Sequence, residues 1–437
     1  MVDIRLYGAK CDGITNDVSA INNTLADGDA LIQDCTVLIG SSILIPSNRT
    51  LYLSNCKIRI ADNSWDNIFR NANPDTGNVN VSVIALGNAV IDHNTSGNND
   101  PNYVNYGGQS HSAQNLYKAG TFFFCNTTNF NVKGLTFSDR PHYCASIQQS
   151  SFGEITDIFF NHYTDCTNQD GIQNIFGTHH VTYKRVFGRT GDDFVSIFLG
   201  TFFGTLFYPL PNYNLYGHCH NIVWDDMIIH SAQHSFILIC GDGKKIYDVT
   251  FKNAYVIYNL FMAYINSTYC SIPSTKDECY NINVENVEIK NSYAWCANLE
   301  LGTNMKNVSA SFINPSSRYA YRVWMRTPAY VLENVSVNGV QLSGRTWTDA
   351  NKPSNLTATV VSNGIKLDWI NNESNVSSIK IYVSTDGINF SELETLIDGT
   401  NTYTHQIKDG VKRYYRVRAL CGAFSGYSNI VEATAPT

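Results

Sequence analysis

Four side chains near the middle of the chain are of types that move protons. They are Asp170 in Asn168-Gln169-Asp170-Gly171, Asp192 and Asp193 in Gly191-Asp192-Asp193, and His234 in Gln233-His234-Ser235. If successive coils of a parallel sheet carry them, about 4.8 Å apart, Asp170, Asp193 and His234 project from one face within reach of one sugar ring, with Asp192 beside them. Carboxylates so close cannot all ionise at their free pKa values, so at least one is expected to be raised. Two carboxyls held in different protonation states are what glycosidic cleavage needs: one protonates the leaving oxygen while the other activates water. Each motif alone reads equally well as a polar turn, because Gly-Asp and Asp-Gly are common at corners. Three motifs in register on three coils favour catalysis.

The elements that must hold them are legible as a repeat. From residue 130 on, apolar residues recur at i and i+2, then at i+5 and i+7: Phe130, Val132, Leu135, Phe137; Ile222, Trp224, Met227, Ile229; Val249, Phe251, Ala254, Val256; Ile282, Val284, Val287, Ile289. The i, i+2 spacing is strand-like and the jump marks a corner. With the second position as marker, Val132, Ile155, Tyr183, Trp224, Phe251, Val284 and Leu332 form one column, with a degenerate copy near Val308. Such a period, rich in strand signals and poor in helix signals, predicts an all-β fold, a right-handed parallel β-helix in which each coil buries its inner face on the next. Asn131, Asn221, Asn253, Asn286 and Asn291 fall at the expected corners, where Asn suits left-handed backbone and side-chain ladders.

Composition excludes other classes. A chain of 437 residues with 43% hydrophobic and 15% charged residues has ample material for a core. A net charge of -7 argues against a diffuse nucleic-acid-binding surface. The twelve Cys contain no C-x-x-C pair, so neither a zinc site nor any cofactor is expected, and most read as buried thiols. Cys270 and Cys279, across a turn-rich loop, are the one pair whose spacing suits a disulfide in an oxidising compartment. No secretory signal opens the sequence, and the uncharged stretch from Phe194 to Tyr216 is broken by Gly, Pro and Asn, so it reads as an aromatic loop and not a membrane span. His218 and His220 with Asp225 and Asp226 read as surface polar residues, not a metal centre.

After residue 348 the pattern changes. Short strand phrases at Leu367-Asp368-Trp369, Ile379 to Val383 and Tyr414 to Ala419 are separated by Asp386-Gly387, Asp398-Gly399 and Asp409-Gly410. The expected organisation is therefore a β-helix over 1–348 and a small β-sandwich over 349–437, resembling a fibronectin type III module.

The motifs together resemble glycoside hydrolase family 28, the polygalacturonase family. Asn168-Gln169-Asp170-Gly171, Gly191-Asp192-Asp193 and His234 resemble its N-T-D, D-D and G-H-G motifs, with a similar 22-residue step from Asp170 to Asp192. Tyr7-Gly8-Ala9-Lys10-Cys11-Asp12-Gly13-Ile14-Thr15-Asn16-Asp17 is similar to an opening shared by β-helix enzymes and phage tail spikes. Ser47-Asn48-Arg49-Thr50-Leu51 and Arg140-Pro141-His142-Tyr143 resemble further family stretches. The resemblance implies an inverting glycosidase in which Asp192 is the general acid, Asp170 and Asp193 hold and activate water, and His234 tunes the acid. Asn168, His142 and Tyr143 would contact the sugar.

Departures from the family point to the substrate. The 27-residue step from Trp224 to Phe251 carries His234 onto Phe261, so the family's carboxylate-gripping Arg and Lys fall on Tyr264 and Asn266. A galacturonate there would lose a charge-assisted partner, so a polysaccharide or complex glycan with a neutral or differently charged sugar is expected instead of ordinary polygalacturonate. Extra length between Asp193 and His234 brings Phe202, Phe203, Phe207, Tyr208, Tyr213 and Tyr216, a lid over sugar or a packing surface. Arg322 and Arg326 read as a solvated strand face. Two other readings compete. One is a Ca²⁺-dependent polysaccharide lyase with Arg185 or Arg189 as base. The other is a phage tail spike or adhesin that binds surface glycan, extracellular or virion-associated, for which a homotrimer is the expected assembly.

Overall fold

The computed structural model describes residues 1–64, 66–94, 97, 120–138, 144–161, 169–199, 201–202, 205–206, 217–267, 270–292, 299–313, 323–325, 330–342, 353–372, 378–397, 400–420 and 424–437. Contacts divide the chain into two units. One is Met1–Tyr293 with Thr303–Asn314 and Val331–Ser343; the other is Gly344–Thr437 with Ala294–Gly302 and Pro315–Tyr330.

The first unit is a right-handed parallel β-helix whose strands pair in parallel with the equivalent strands of neighbouring coils. The marker column runs through Val132, Ile155, Tyr183, Trp224, Phe251 and Val284 as adjacent partners. It then continues through Ala310 and Val337, so the Leu332 expectation is corrected: Leu332 pairs with Met305, ahead of the column. The column also extends towards the N-terminus through Val83, Leu51 and Ala30. All these marker residues are buried, and stacked rings fill the interior, with Tyr183 on Trp224 at 5.6 Å and Phe236 against Trp224 at 5.1 Å.

Coils turn by single left-handed residues. One corner is built by Asn129, Asn221, Asp248, Asn281, Asn307 and Asn334, and the next by Asp157, Arg185, Asp226, Asn253 and Asn286, all at φ between 51° and 60°. A left-handed residue costs roughly 1–2 kcal/mol unless it is Gly, which lacks a Cβ, or Asn or Asp, whose short side chains find local partners. Here the partner is the next coil: Asn307 donates to Asn281 at 3.0 Å, and Asn286 to Asn253 at 2.6 Å. Of the expected corner residues, Asn221, Asn253 and Asn286 have this conformation. Asn131 does not; the corner is Asn129, two residues earlier. Asn253→Ala should therefore destabilise the chain by about 1–2 kcal/mol, because it strains the backbone and severs links to both Asp225 and Asn286. An unchanged denaturant midpoint would remove the corner argument.

The N-terminal end is closed by the helix Val18–Asp27, which buries Ile21 and Leu25. The opening motif serves this cap: Asp17 accepts the N–H groups of Lys10 at 2.7 Å and Cys11 at 2.9 Å. Arg49 donates to the Leu25 carbonyl at 2.9 Å at the end of the helix. Cys270 and Cys279 are both free thiols, which corrects the disulfide expectation; burial pushes Cys270 up to about 12, and Cys279 is fully buried. No described helix is long and apolar enough to cross a membrane.

In the second unit, residues from Ser354 onward form two antiparallel sheets, a β-sandwich. Ser354–Val361, Gly364–Ile370 and Thr402–Gln406 make one sheet; Ser378–Ser384, Ser391–Ile397, Lys412–Leu420, Phe424–Tyr427 and Val431–Thr434 make the other. Trp369 and Tyr415 lie in its core with Ile365, Ile379, Ile381 and Val417.

Candidate active site

Each coil of the β-helix has a third strand, and the acid residues sit at its entrance. Ile172–Ile175, Val195–Leu199 and the Phe236–Cys240 end of the long strand Cys219–Cys240 pair in parallel, so what precedes them is stacked as well. Backbone bonds lock these approaches together. The Asp192 N–H reaches the Gln169 carbonyl at 3.2 Å, and the Gly171 N–H reaches the Asp193 carbonyl at 2.8 Å. On the next coil the Gln233 N–H reaches the Asp192 carbonyl at 3.0 Å, and the Phe194 N–H reaches the His234 carbonyl at 2.8 Å. Asp170, Asp192 with Asp193, and His234 therefore occupy three consecutive coils at one level.

Asp170 and His234 are buried, whereas Asp192 and Asp193 are partly exposed. Carboxylate oxygens of Asp192 and Asp193 and a ring nitrogen of His234 lie within 4.8 Å of one another. The imidazole donates from Nδ1 to Asp193 Oδ1 at 2.5 Å, so Asp193 is a direct partner of His234. Tyr264 packs its ring on His234 with centroids 4.8 Å apart. Asp170 accepts a hydrogen bond from Gln173.

Sequence reasoning named Tyr264 but missed Gln173, Ser196 and Ile237 on the floor beside these groups. Gln173, Ser196, Ile237 and Tyr264 are successive register partners on the third strands. Beyond Ser196 the floor turns apolar, with Ile237, Ile239 and Tyr264 clustered and Phe198 packed against them. Gln173 could have been found from alternation: it follows Asp170 by three residues on a strand whose other face is core. The register also places Phe261 beside His234, with Tyr264 beside Ile237 and Asn266 beside Ile239, as the 27-residue step implies. Asn266 is fully buried. Asn168, His142, Tyr143, Arg322, Arg326 and the aromatic residues Phe203, Phe207, Tyr208, Tyr213 and Tyr216 lie outside the described residues, as does the Phe202 side chain.

Two other groups take structural roles. Arg185, one base proposed for a lyase, holds Asp157 through bonds of 2.6 and 2.9 Å, which raises its pKa and opposes proton abstraction. His220 stacks between His179 at 4.8 Å and Tyr247 at 4.6 Å, while His218 accepts the Lys245 N–H at 3.1 Å. Among the described residues, the only cluster of three or more His, Cys, Asp or Glu near enough to hold a metal is the Asp192, Asp193 and His234 set. An imidazole in that set suits borderline transition metals and makes Ca²⁺ a poor match.

Comparison with known proteins agrees with this geometry. Residues 51–206 match the family described as glycosyl hydrolases family 28, and the matched segment contains Asp170, Asp192 and Asp193. Two solved structures share the fold. One is the family 28 exopolygalacturonase of Yersinia enterocolitica, at 15% identity and TM-score 0.51, covering 78% of this chain and 76% of that one. The other is a hyperthermoactive exopolygalacturonase from Thermotoga maritima, at 13% identity and TM-score 0.50, covering 77% of this chain and 88% of that one. No curated protein matches the chain. The shared fold and the matched segment support a glycan-hydrolysing enzyme, similar over residues 51–206 to glycosyl hydrolases family 28.

Proposed function

We propose that the chain cleaves a polysaccharide or complex glycan with inversion at the anomeric carbon, and that the sugar in the cleavage site does not carry the carboxylate of ordinary polygalacturonate. The observation that supports the reaction is the locking of Asp170, Asp192 with Asp193, and His234 at one level on three coils. Asp192 gives its proton to the leaving glycosidic oxygen. A water held between Asp170 and Asp193 loses its proton to a carboxylate as it attacks, while the bond from His234 fixes the position of the Asp193 carboxylate. The coil beyond His234 supports the substrate reading. Where a carboxylate would need a cation, the register puts Tyr264, packed on His234 and clustered with Ile237 and Ile239. Burying a carboxylate against such a surface costs several kcal/mol without a charged partner, whereas an aromatic ring accepts the C–H face of a neutral sugar.

A panel of neutral and acidic polysaccharides, followed by new reducing ends and by absorbance of unsaturated products, tests both parts. Reducing ends without unsaturation, on neutral-sugar linkages, are expected, with the product's initial anomer inverted by NMR. Turnover confined to polygalacturonate would overturn the substrate reading, and unsaturated products would overturn hydrolysis.

A further inference from the structure

The outer face of the larger C-terminal sheet carries a feature that hydrolysis does not use. Along Ser378–Ser384 and Lys412–Leu420, alternation sends Ile379, Ile381, Tyr415, Val417 and Ala419 into the core. It leaves Lys380, Tyr382, Arg416 and Arg418 partly exposed on the other side, with Tyr382 opposite Arg416 and Lys380 opposite Arg418.

Arg416 is held by rings. Its guanidinium carbon lies 3.7 Å from the centre of Tyr427, 4.2 Å from Phe390 and 5.7 Å from Tyr382. Arg418 lies 5.1 Å from the Tyr427 centre and donates to the Tyr427 hydroxyl at 3.3 Å. A guanidinium covered on its face by aromatic rings keeps only its in-plane N–H edge for hydrogen bonding. For Arg416 that edge meets no acceptor among the described residues: Nε is buried without a partner, and no carboxylate pairs with the group. Two acids on the paired strands are already engaged by other groups. Glu392, opposite Tyr382, takes the Lys380 ammonium at 2.6 Å and the Thr395 hydroxyl at 2.8 Å, and Glu432 takes Lys412 at 2.9 Å.

A partly buried cation normally finds an anion within the protein. This one is instead fixed in place by aromatic contacts, with a planar donor fork left over. That is the geometry suited to a carboxylate arriving from outside: a bidentate donor whose rotamer entropy is already spent, flanked by rings against which sugar C–H faces pack. We propose that this face of the sandwich binds an acidic polysaccharide, Arg416 taking the carboxylate of a uronate residue with Tyr382 and Phe390 beside its ring. The site is independent of which sugar the catalytic coils accept.

The full chain carrying Asp192→Asn, so that polymer is not consumed, is run in native gels containing polygalacturonate or the same polymer after reduction of its carboxyl groups. Expected is at least tenfold tighter retention by the acidic polymer, weakening as salt is raised. Arg416→Met in that background, which keeps the stem packing and removes the fork, should lose at least tenfold in affinity with little change in melting temperature. Arg416→Lys, which keeps the charge without the fork, should lose nearly as much. Equal retention by the reduced polymer overturns the proposal whatever the variants do. So does full affinity in either Arg416 variant once a melting curve shows it folded.

Discussion

Asp192→Asn should lower kcat roughly a thousandfold while glycan affinity stays within a few-fold. The amide matches the carboxyl in shape and keeps the Asp192 carbonyl bonded to the Gln233 N–H and the Thr190 hydroxyl, so the local fold is preserved. What it loses is the proton that the leaving oxygen needs. A substrate whose leaving group departs without protonation, such as an aryl glycoside of the same sugar, should therefore recover most of the lost rate. That recovery separates a general acid from a residue that merely shapes the cleft. Asp193→Asn should behave differently: its amide oxygen can still accept from His234 Nδ1, but it has no carboxylate to take the water's proton, so an activated leaving group should not rescue it. Initial rates on both substrates, with calorimetric binding of oligosaccharide, check the pair. Comparable rescue of both variants would remove the division of roles, and a kcat for Asp192→Asn within tenfold of wild type would remove the acid itself.

Much of this site could be read before any coordinates, for a physical reason. In a parallel β-helix, contacts between coils repeat the same register, so one correct spacing fixes many neighbours. The step from Trp224 to Phe251 places Phe261 beside His234, and thereby Tyr264 beside Ile237, which is the pairing observed. Where coil lengths change, the arithmetic fails. Beyond Val284 the pairing runs from Val284 to Ala310 and then to Val337, so the column passes Leu332, which lies ahead of it opposite Met305. Corners were misplaced for a related reason. Apolar periodicity locates the inward residues, but it does not say which polar residue between them takes the left-handed turn, and Asn129, not Asn131, takes it. Gln173 and Ser196 escaped because polar residues on a short strand give no apolar signal for their face. The bond from His234 to Asp193 was hidden too, because spacing brings His234 near both acids without giving the side-chain geometry of either contact.

The motif around Asp170 carries a constraint that chemistry alone does not explain. Gly171→Ala should lower the melting temperature by several degrees and cut kcat about a hundredfold, although the residue has no functional group. A Cβ at this position would lie 2.2 Å from the Phe194 carbonyl oxygen and 2.9 Å from the Phe160 ring. Neither neighbour has room to give. Phe160 and Phe194 are buried edge to face at 5.4 Å, and the Phe194 carbonyl accepts the Ile172 N–H at 3.1 Å in the bonding that joins the two coils. Relief must come from separating those coils, at the point where the Gly171 N–H ties Asp170 to the level of Asp193. Overpacking of this kind costs about 1–3 kcal/mol, and a shift of about 1 Å between reacting groups can cost two orders of magnitude in rate. Gly28→Ala is the matched control: its backbone is extended, at φ -173°, and no atom lies within 4 Å of its added carbon. If the two alanine variants melt and turn over alike, close approach at Gly171 does not position Asp170, and the small residue there serves only the turn.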